Sequence, residues 1–293
     1  MTKVHAIIAA ASLIAAGCAQ SPVPNRYDSI FDSDHLDYIA FPIGGMGAGM
    51  FCIEGTGAIS HMSVRNHPDL FNEPAMFAAI HVKGLENGTR VVEGPVPDRK
   101  KFGNPGNGTG SWGKTYGLPR YAEVNSFEAR FPFAVISLND ESMPLSAEIT
   151  GWSPFIPGNE DDSGLPAGAI EYCFTNTSSS AVEAIFSFNS SNFMGWDNPG
   201  QSETVRMEGG FALKCIPEER YPWDEGAFAV TVPFEDNMTV DCGWFRGGWF
   251  DPKTMAWNKA ASGDTSPVEP AEGTTGGSLY VPFTLSPGES RTI

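Results

Sequence analysis

The densest group of side chains able to do chemistry is the acidic run Glu160, Asp161 and Asp162. It lies in the segment from Trp152 to Pro166, whose three prolines exclude a regular helix. Catalysis of glycoside hydrolysis needs two carboxyl groups about 5–9.5 Å apart on opposite sides of a sugar. Adjacent residues of one turn do not oppose each other in this way. This acidic loop is better suited to capping a turn, with help from Asn159, or to binding calcium than to catalysing glycoside hydrolysis.

Tryptophans that stand beside carboxylates or carboxamides suggest a second chemistry, the binding of sugars. Exposed aromatic faces provide apolar platforms, and neighbouring polar groups bind hydroxyls. A structural role is the alternative, since sandwich cores and edges also use tryptophan. Trp223-Asp224 has this composition. Other clusters share it, and they contain the four residues that we predict to bind substrate: Trp112, Trp196, Asp197 and Trp249.

Other residues that could catalyse a reaction or bind a cofactor do not have the spacing of the known motifs. Gly44 to Gly49 follows an apolar run, but Met50 stands where a dinucleotide-binding loop needs Gly or Ala, and no P-loop lysine follows. These glycines are expected to permit positive φ and close approach of strands. His61 and His67 match no metal-ligand spacing, and neither C-x-x-C nor G-x-S-x-G is present. We therefore predict no metal and no cofactor.

Composition and charge predict an all-β protein. The 293 residues include 33 Gly, 23 Pro and 20 Phe, a balance that disfavours helices and favours strands. This length allows one large all-β domain or two smaller ones. The formal net charge of −17 argues against nucleic acid and anionic membranes as partners, and it is compatible with neutral sugars.

The first residues have the pattern of a bacterial lipoprotein signal. A positive Lys3 is followed by an apolar run and by small residues directly before Cys18. Residues 1–17 are predicted to be a signal peptide, with Cys18 lipidated and residues 18–37 forming a tether and lead-in. The predicted localisation is the cell envelope, with the outer membrane preferred because Ala19 rather than Asp follows the cysteine. Ordinary secretion with an incidental Cys18 is the alternative.

Four further cysteines leave the disulfide state open. In an exported protein they could form up to two disulfides, with three connectivities. Cys173 lies in an alternating run and could equally be a buried thiol. The four residues are Cys52, Cys173, Cys215 and Cys242.

Alternation of apolar and polar residues predicts many strands. No window shows sustained 3.6-residue periodicity, so the fold class predicted for residues 38–293 is a large antiparallel β-sandwich. Asn87-Gly88 predicts a hairpin turn. Phe127 to Val135 is predicted to be one long strand, with Pro132 at an edge or a bulge. The side chains predicted to lie inside are Phe131, Phe133, Ile149, Tyr172, Phe186 and Phe188.

Two long segments do not follow the strand pattern. Lys100 to Gly117 is rich in Gly and Asn and is expected to form an exposed loop. Phe245 to Thr275 mixes aromatic with polar residues and then becomes a stretch of Ser, Thr, Glu, Pro and Gly.

Several short motifs together resemble the N-terminal domain of glycoside hydrolase family 116, the bacterial β-glucosidases and non-lysosomal glucosylceramidases. The loop from Trp152 is similar to the family's "SPF-P…D-S-LP" run between two strands. The matches run in the family's order from about residue 40 to the end, and residues 195–275 match poorly. The other motifs are the "lGG-G-G-f…G" opening at Gly44, the "a-FPFa-v-l-d…P" strand in Tyr121 to Leu138, the "v-N-s" turn at Thr175 and the "l-PGes-ti" end in Ser286 to Ile293.

The resemblance implies a non-catalytic domain. In the family the catalytic Glu and Asp belong to a helical barrel after the sandwich, and their motifs have no counterpart here, so no catalytic residue is assigned. The implied partner is a helical-barrel glycosidase domain, downstream or separate, whose substrate entrance this domain would help to shape. The chain alone is expected not to hydrolyse β-glucosides. A stand-alone surface carbohydrate-binding module, with β-glucosides as ligands, and a structural envelope lipoprotein are the alternatives.

Overall fold

The molecule is built almost entirely from strands, which confirms the predicted all-β class. Three short α-helices and two 3₁₀ turns, at Ser33–His35 and Pro222–Asp224, complete the regular structure of the described residues. The computed structural model describes residues 29–64, 67–70, 72–101, 115–195, 202–233, 235, 237–244, 252–271 and 273–293.

The strands and helices are short and closely spaced, as frequent Gly, Pro and Asn turns require. The helices are α1 Asp98–Lys101, α2 Glu160–Ser163 and α3 Pro252–Ala261. The strands are β1 Ser29–Phe31, β2 Ala40–Ile43, β3 Met50–Glu54, β4 Ile59–Ser63, β5 Met76–Val82, β6 Thr89–Val91, β7 Glu123–Arg130, β8 Phe133–Asn139, β9 Leu145–Trp152, β10 Ala169–Asn176, β11 Val182–Ser191, β12 Ser202–Met207, β13 Gly210–Cys215, β14 Gly226–Thr231, β15 Thr239–Asp241, β16 Gly276–Leu285 and β17 Ser290–Thr292.

The strands are divided among four antiparallel sheets. The largest has the order β1-β7-β8-β9-β10-β17, and the second has the order β15-β16-β11-β5-β6. Two three-stranded sheets, β12-β13-β14 and β2-β3-β4, accompany them. Strand β1 lies in residues 18–37, which are predicted to be a tether and lead-in. It pairs with β7 at the edge of the six-stranded sheet. With four sheets, the architecture is not clearly the single sandwich that the sequence predicts.

The core lies where the six-stranded and five-stranded sheets face each other. Tyr172 of β10 contacts Phe186 of β11, with ring centroids 5.1 Å apart, and Phe174 stacks on Phe283 of β16 at 5.8 Å. Burial alternates along β8, β9 and β10 as a half-buried sheet requires. The predictions that Ile149, Tyr172, Phe186 and Phe188 lie inside are confirmed.

The prediction that Phe131 and Phe133 lie inside is wrong, because their side chains are 55% and 45% exposed. Pro132 stands in the turn between β7 and β8 rather than within one long strand. The turn breaks the alternation, so Ala134 and Ile136 of β8 face the core and Phe133 faces outward. A pattern of odd-numbered apolar residues that crosses the turn therefore assigns the wrong face.

This difference in burial predicts unequal costs for two similar substitutions. Phe186→Ala should lower the free energy of unfolding by about 3–5 kcal/mol, because it removes a side chain packed in the core. Phe133→Ala should change it by less than about 0.5 kcal/mol, because the ring is half exposed. Urea unfolding of both variants measures the difference. Equal losses would contradict this placement of β8.

The hairpin predicted at Asn87-Gly88 is confirmed between β5 and β6. Asn87 has φ of 55°, which asparagine tolerates better than most residues. The strands on either side pair in register, with His81 opposite Thr89. Because this signal is local to two residues, sequence alone was enough to find it.

Helix α3 lies in Phe245 to Thr275, one of the two segments whose sequence does not follow the strand pattern. The helix buries only the small side chains Ala256 and Ala260. Two methyl groups give no apolar periodicity, and the helix is instead tied down by Lys259, which lies 2.6 Å from Asp241. Among the described residues, no helix has the length and apolar character needed to cross a membrane.

The four described cysteines form no disulfide with one another. Cys52, Cys215 and Cys242 are buried, and Cys173 is partly buried. Burial raises the pKa of the Cys52 and Cys242 thiols to about 11. Because the thiolate is the reactive form, these two side chains are expected to behave as small apolar groups.

Candidate functional site: the acidic loop and its apolar surface

The predicted acidic loop joins β9 to β10 and is held by its own side chains. The single turn of α2 begins after Asn159, whose Oδ1 accepts a hydrogen bond from the Asp162 backbone N–H at 3.1 Å. Asn159 Nδ2 donates in return to Asp162 Oδ2 at 2.6 Å. This reciprocal pair satisfies a helix N-terminus, as Asn does at such positions. The prediction that Asn159 folds the loop is confirmed.

Buried serines fasten the loop to the rest of the molecule. Ser163 Oγ accepts from the Ile156 N–H at 2.9 Å and donates to the Ile156 carbonyl at 3.1 Å. Ser153 Oγ accepts from the Gly44 N–H at 3.1 Å. The Ser163 carbonyl accepts from the Met46 N–H at 2.7 Å. The loop is thus clamped onto the glycine-rich turn that follows β2.

The glycine-rich turn has the structural role predicted for it. Gly44, Gly47 and Gly49 have positive φ. At Gly45 an added Cβ would lie 1.9 Å from the Leu165 carbonyl oxygen, so only glycine fits against the acidic loop. The close approach of backbone to backbone explains the glycines without any phosphate ligand.

Large apolar side chains are exposed where this turn, the acidic loop and the β7–β8 hairpin meet. The Ser153 N–H donates to the Pro132 carbonyl at 3.2 Å, and Phe131 packs edge-on against Phe155 at 4.9 Å. A monomeric protein seldom exposes a contiguous apolar patch without a use for it. The hairpin–loop surface consists of Met46, Phe131, Phe133, Ile156 and Leu165, whose side chains are 45–65% exposed.

The three carboxylates of the loop lie at the edge of this surface. Glu160, Asp161 and Asp162 all occupy the single turn of α2 and are exposed. Asp162 is engaged with Asn159, as a turn cap is expected to be. Within the described residues no group of three His, Cys, Asp or Glu is arranged to hold a metal ion. The hydrogen bonds between Asn159 and Asp162 give the Asp162 carboxylate a role in folding the loop.

Of the other residues considered in the sequence analysis, the structure describes some and not others. Trp223 is described, and its side chain is 71% exposed on a 3₁₀ turn with Tyr221 at 5.7 Å. His61 lies in β4, where its Nδ1 is 2.6 Å from Ser60 Oγ. The predictions that fall outside the described residues are Cys18, Trp112, Trp196, Asp197 and Trp249.

Sequence reasoning missed a buried ionic cluster beneath β3 and β5. Lys100 was expected to begin an exposed loop, but only 4% of its side chain is exposed. Its Nζ donates to Glu54 Oε1 and, at 2.9 Å, to Glu73 Oε1. Tyr116 donates to Glu73 Oε2 at 3.2 Å, so both flanks of residues 102–114 converge on this carboxylate. The partners are far apart in sequence, so no local pattern marks them.

A second ion pair adjoins this cluster. Arg120 donates to Glu93 Oε2 at 2.7 Å. Burial raises the pKa of Glu93, and the guanidinium opposes that rise. Glu54 Oε2 and Arg120 Nε have no hydrogen-bond partner among the described residues, and both residues line a cavity of ≈ 30 Å³. A volume of this size is large enough for one water molecule.

The structure is that of an all-β domain that exposes the apolar hairpin–loop surface. The family model described as "beta-glucosidase 2, glycosyl-hydrolase family 116 N-term" matches residues 40–293. The chain belongs to this family as its N-terminal domain, which confirms the resemblance seen in the sequence motifs. No curated protein matches the chain.

Proposed function

We propose that this protein is a non-catalytic domain that docks on a helical-barrel glycosidase domain and helps to shape its substrate entrance. The observation that carries the proposal is the hairpin–loop surface, whose five large apolar side chains are 45–65% exposed on segments that contact one another. Membership of family 116 names the kind of partner. In this proposal the six-stranded and five-stranded sheets form the family's sandwich, and the chemistry belongs to the barrel.

The surface has the composition of a protein interface. Its centre is aromatic and aliphatic, and its rim carries the carboxylates Glu160 and Asp161, as interface cores and rims commonly do. The hydrogen bonds of Asn159 and Ser163 hold the loop in one conformation before any partner arrives. A preorganised surface loses less conformational entropy on binding than a mobile one.

A kinetic assay tests this division of labour. The purified chain alone should not hydrolyse an aryl β-glucoside above background, because no acid and nucleophile pair opposes a sugar in the acidic loop. Added to a family 116 helical-barrel domain, it should lower the KM of the barrel by several-fold. Hydrolysis by the chain alone that disappears in Asp162→Asn would overturn the proposal and make the loop catalytic.

A stand-alone carbohydrate-binding role is the second candidate, and it is favoured by the exposure of Trp223. Tyr221 and Trp223 meet edge to face beside Asp224, with Arg220 lying 5.3 Å from the Tyr221 ring. Exposed aromatic faces are apolar platforms for sugars. Under this role, glucosides should bind without turnover, and Trp223→Ala or Trp196→Ala should abolish retention in a gel that contains a soluble β-glucan.

We also propose a location, which rests on the signal peptide predicted for residues 1–17. Cys18 should be lipidated after removal of residues 1–17, which would anchor the domain to the bacterial envelope, with the outer membrane preferred. Mass spectrometry of the mature protein should find a diacylglyceryl group on an N-terminal Cys18. The variant Cys18→Ser should be released from the membrane fraction. An unmodified cysteine, or a mature protein that starts elsewhere, would contradict the anchor.

A further inference from the structure

Strand β10 has one edge that is only partly covered. Strand β17 pairs with Cys173 to Thr175 of β10 in antiparallel order. The pairing ends at Tyr172, which exchanges two backbone hydrogen bonds with Ile293, at 2.9 and 3.0 Å. The first residues of β10, from Ala169 to Glu171, extend beyond this point and have β9 on their other side. We name these three residues the open β10 edge.

The alternation of hydrogen bonds along β10 determines which backbone groups this edge presents. In an antiparallel pair, hydrogen-bonded and non-hydrogen-bonded positions alternate. Because Tyr172 directs its N–H and C=O groups to β17, Ile170, two residues earlier, directs its own to the same side. In the part of the chain that the structure describes, these two groups of Ile170 have no backbone partner on that side. The edge therefore offers one donor and one acceptor to an added strand.

An apolar cleft lies beside the open β10 edge, on the inward side of the sheet. The side chain of Ile170 packs against the core and that of Tyr172 is buried, so both face inward. Phe228 and Val230 of β14 line the same cleft, whose volume is ≈ 440 Å³, and Ile293 lines it as well. Directly opposed residues of two strands point to the same face. The side chain of a residue added opposite Ile170 would therefore enter the cleft.

The outward face of the same edge is acidic. Alternation places the Glu171 carboxylate outside, where its Oε1 accepts a hydrogen bond from Trp152 Nε1 at 2.9 Å. A carboxylate can accept several hydrogen bonds, so Glu171 can also pair with a cation. The formal net charge of the chain, −17, favours a basic partner. An added strand thus meets an apolar environment on one face and a carboxylate on the other.

We propose that the open β10 edge binds an extended segment of another protein, which adds antiparallel to β10 in line with β17. The segment places an apolar side chain opposite Ile170, in the cleft, and a lysine or arginine opposite Glu171, outside it. In strand addition, main-chain hydrogen bonds give affinity and pockets for alternate side chains give specificity. Strand β17 already covers the neighbouring stretch of β10 in this way, with Ile293 at the cleft. The site lies outside the hairpin–loop surface and does not depend on the docking proposal.

Titration of the full chain with a short peptide, followed by nuclear magnetic resonance, tests the proposal. The first three residues of Lys-Val-Thr-Val-Thr-Lys would lie opposite Glu171, Ile170 and Ala169, and binding should be saturable with a Kd of about 1 mM or below. N-methylation of the first valine, whose N–H would donate to the Ile170 carbonyl, should weaken binding by about tenfold or more. N-methylation of the first threonine, whose N–H would point away from β10, should leave the affinity nearly unchanged.

Amide hydrogen exchange shows whether the peptide adds at this edge. The Ile170 N–H should exchange rapidly in the free chain and become protected when the peptide binds. The Glu171 N–H, which faces β9 by the same alternation, should be protected in both states. Non-saturable binding, equal effects of the two N-methylations, or protection of Ile170 in the free chain would overturn the proposal.

The charge preference is tested with a second peptide. A peptide that begins with glutamate in place of the first lysine should bind about fivefold more weakly, because its carboxylate would lie beside that of Glu171. Glu171→Gln should reduce this difference. Equal affinities of the two peptides for the unmodified chain would contradict the predicted register.

Discussion

Replacing Phe133 by Glu should weaken the binding of a family 116 helical-barrel domain by at least about 100-fold. Phe133 lies opposite Trp152 in the pairing of β8 with β9 and is 45% exposed in the hairpin–loop surface. At the centre of a docked interface the new carboxylate would lose its water without gaining a partner. Calorimetric titration of the barrel domain with each purified chain measures the change.

The matched control is Met255→Glu. Met255 is also 45% exposed, but it lies on α3, which packs against β5 and β11 on another part of the molecule. This variant should bind the barrel domain with unchanged affinity. Equal losses in the two variants would show that added negative charge, rather than the hairpin–loop surface, governs binding.

The second large effect is expected at Lys100. Lys100→Met should lower the free energy of unfolding by about 3–5 kcal/mol, because it removes the ammonium group that pairs with the buried carboxylates of Glu54 and Glu73. Both carboxylate side chains are less than a tenth exposed, so bulk water solvates their charges poorly. Urea unfolding followed by tryptophan fluorescence measures the loss.

Two further variants separate the charge effect from a packing effect. Lys101→Met, one residue along the same helix, removes an exposed pair with Asp98 and should change stability by less than about 0.5 kcal/mol. Adding Glu54→Gln and Glu73→Gln to Lys100→Met should recover part of the loss, because neutral amides are cheaper to bury than unpaired carboxylates. No recovery in the triple variant would assign the loss to the shape of the lysine side chain.

Much of the fold could be predicted because its signals are local. The turn at Asn87-Gly88 and the Asn159 cap depend on residues that are neighbours in sequence. The inward faces of Ile149 and Tyr172 follow from alternation within single strands. For these elements the side chain and its structural consequence lie within a few residues of each other.

The remaining features depend on information that the local pattern does not carry. The turn at Pro132 reverses which residues face the core, so alternation continued from β7 predicts Phe133 inside although it faces outward. The contact of Lys100 with Glu54 spans 46 residues, and a glycine-rich context hides it. Helix α3 buries only Ala256 and Ala260, which is too little apolar surface to show a helical period.

The division of the strands into four sheets is also set by long-range pairing. Strand β11 pairs with both β5 and β16, and β17 returns to β10 over a long separation in sequence. Alternation identifies strands but does not say which strands become neighbours. The sequence motifs of family 116 therefore named the family correctly, while the arrangement of the sheets required the structure.

Site-specific photo-cross-linking tests most directly whether the hairpin–loop surface docks a glycosidase domain. The full chain, carrying p-benzoylphenylalanine in place of Phe133, would be irradiated with a family 116 helical-barrel domain, and the joined peptides would be identified by mass spectrometry. The proposal predicts adducts with the barrel from position 133 and none from the same probe at Met255. No adduct from position 133, or equal adducts from both positions, would contradict it.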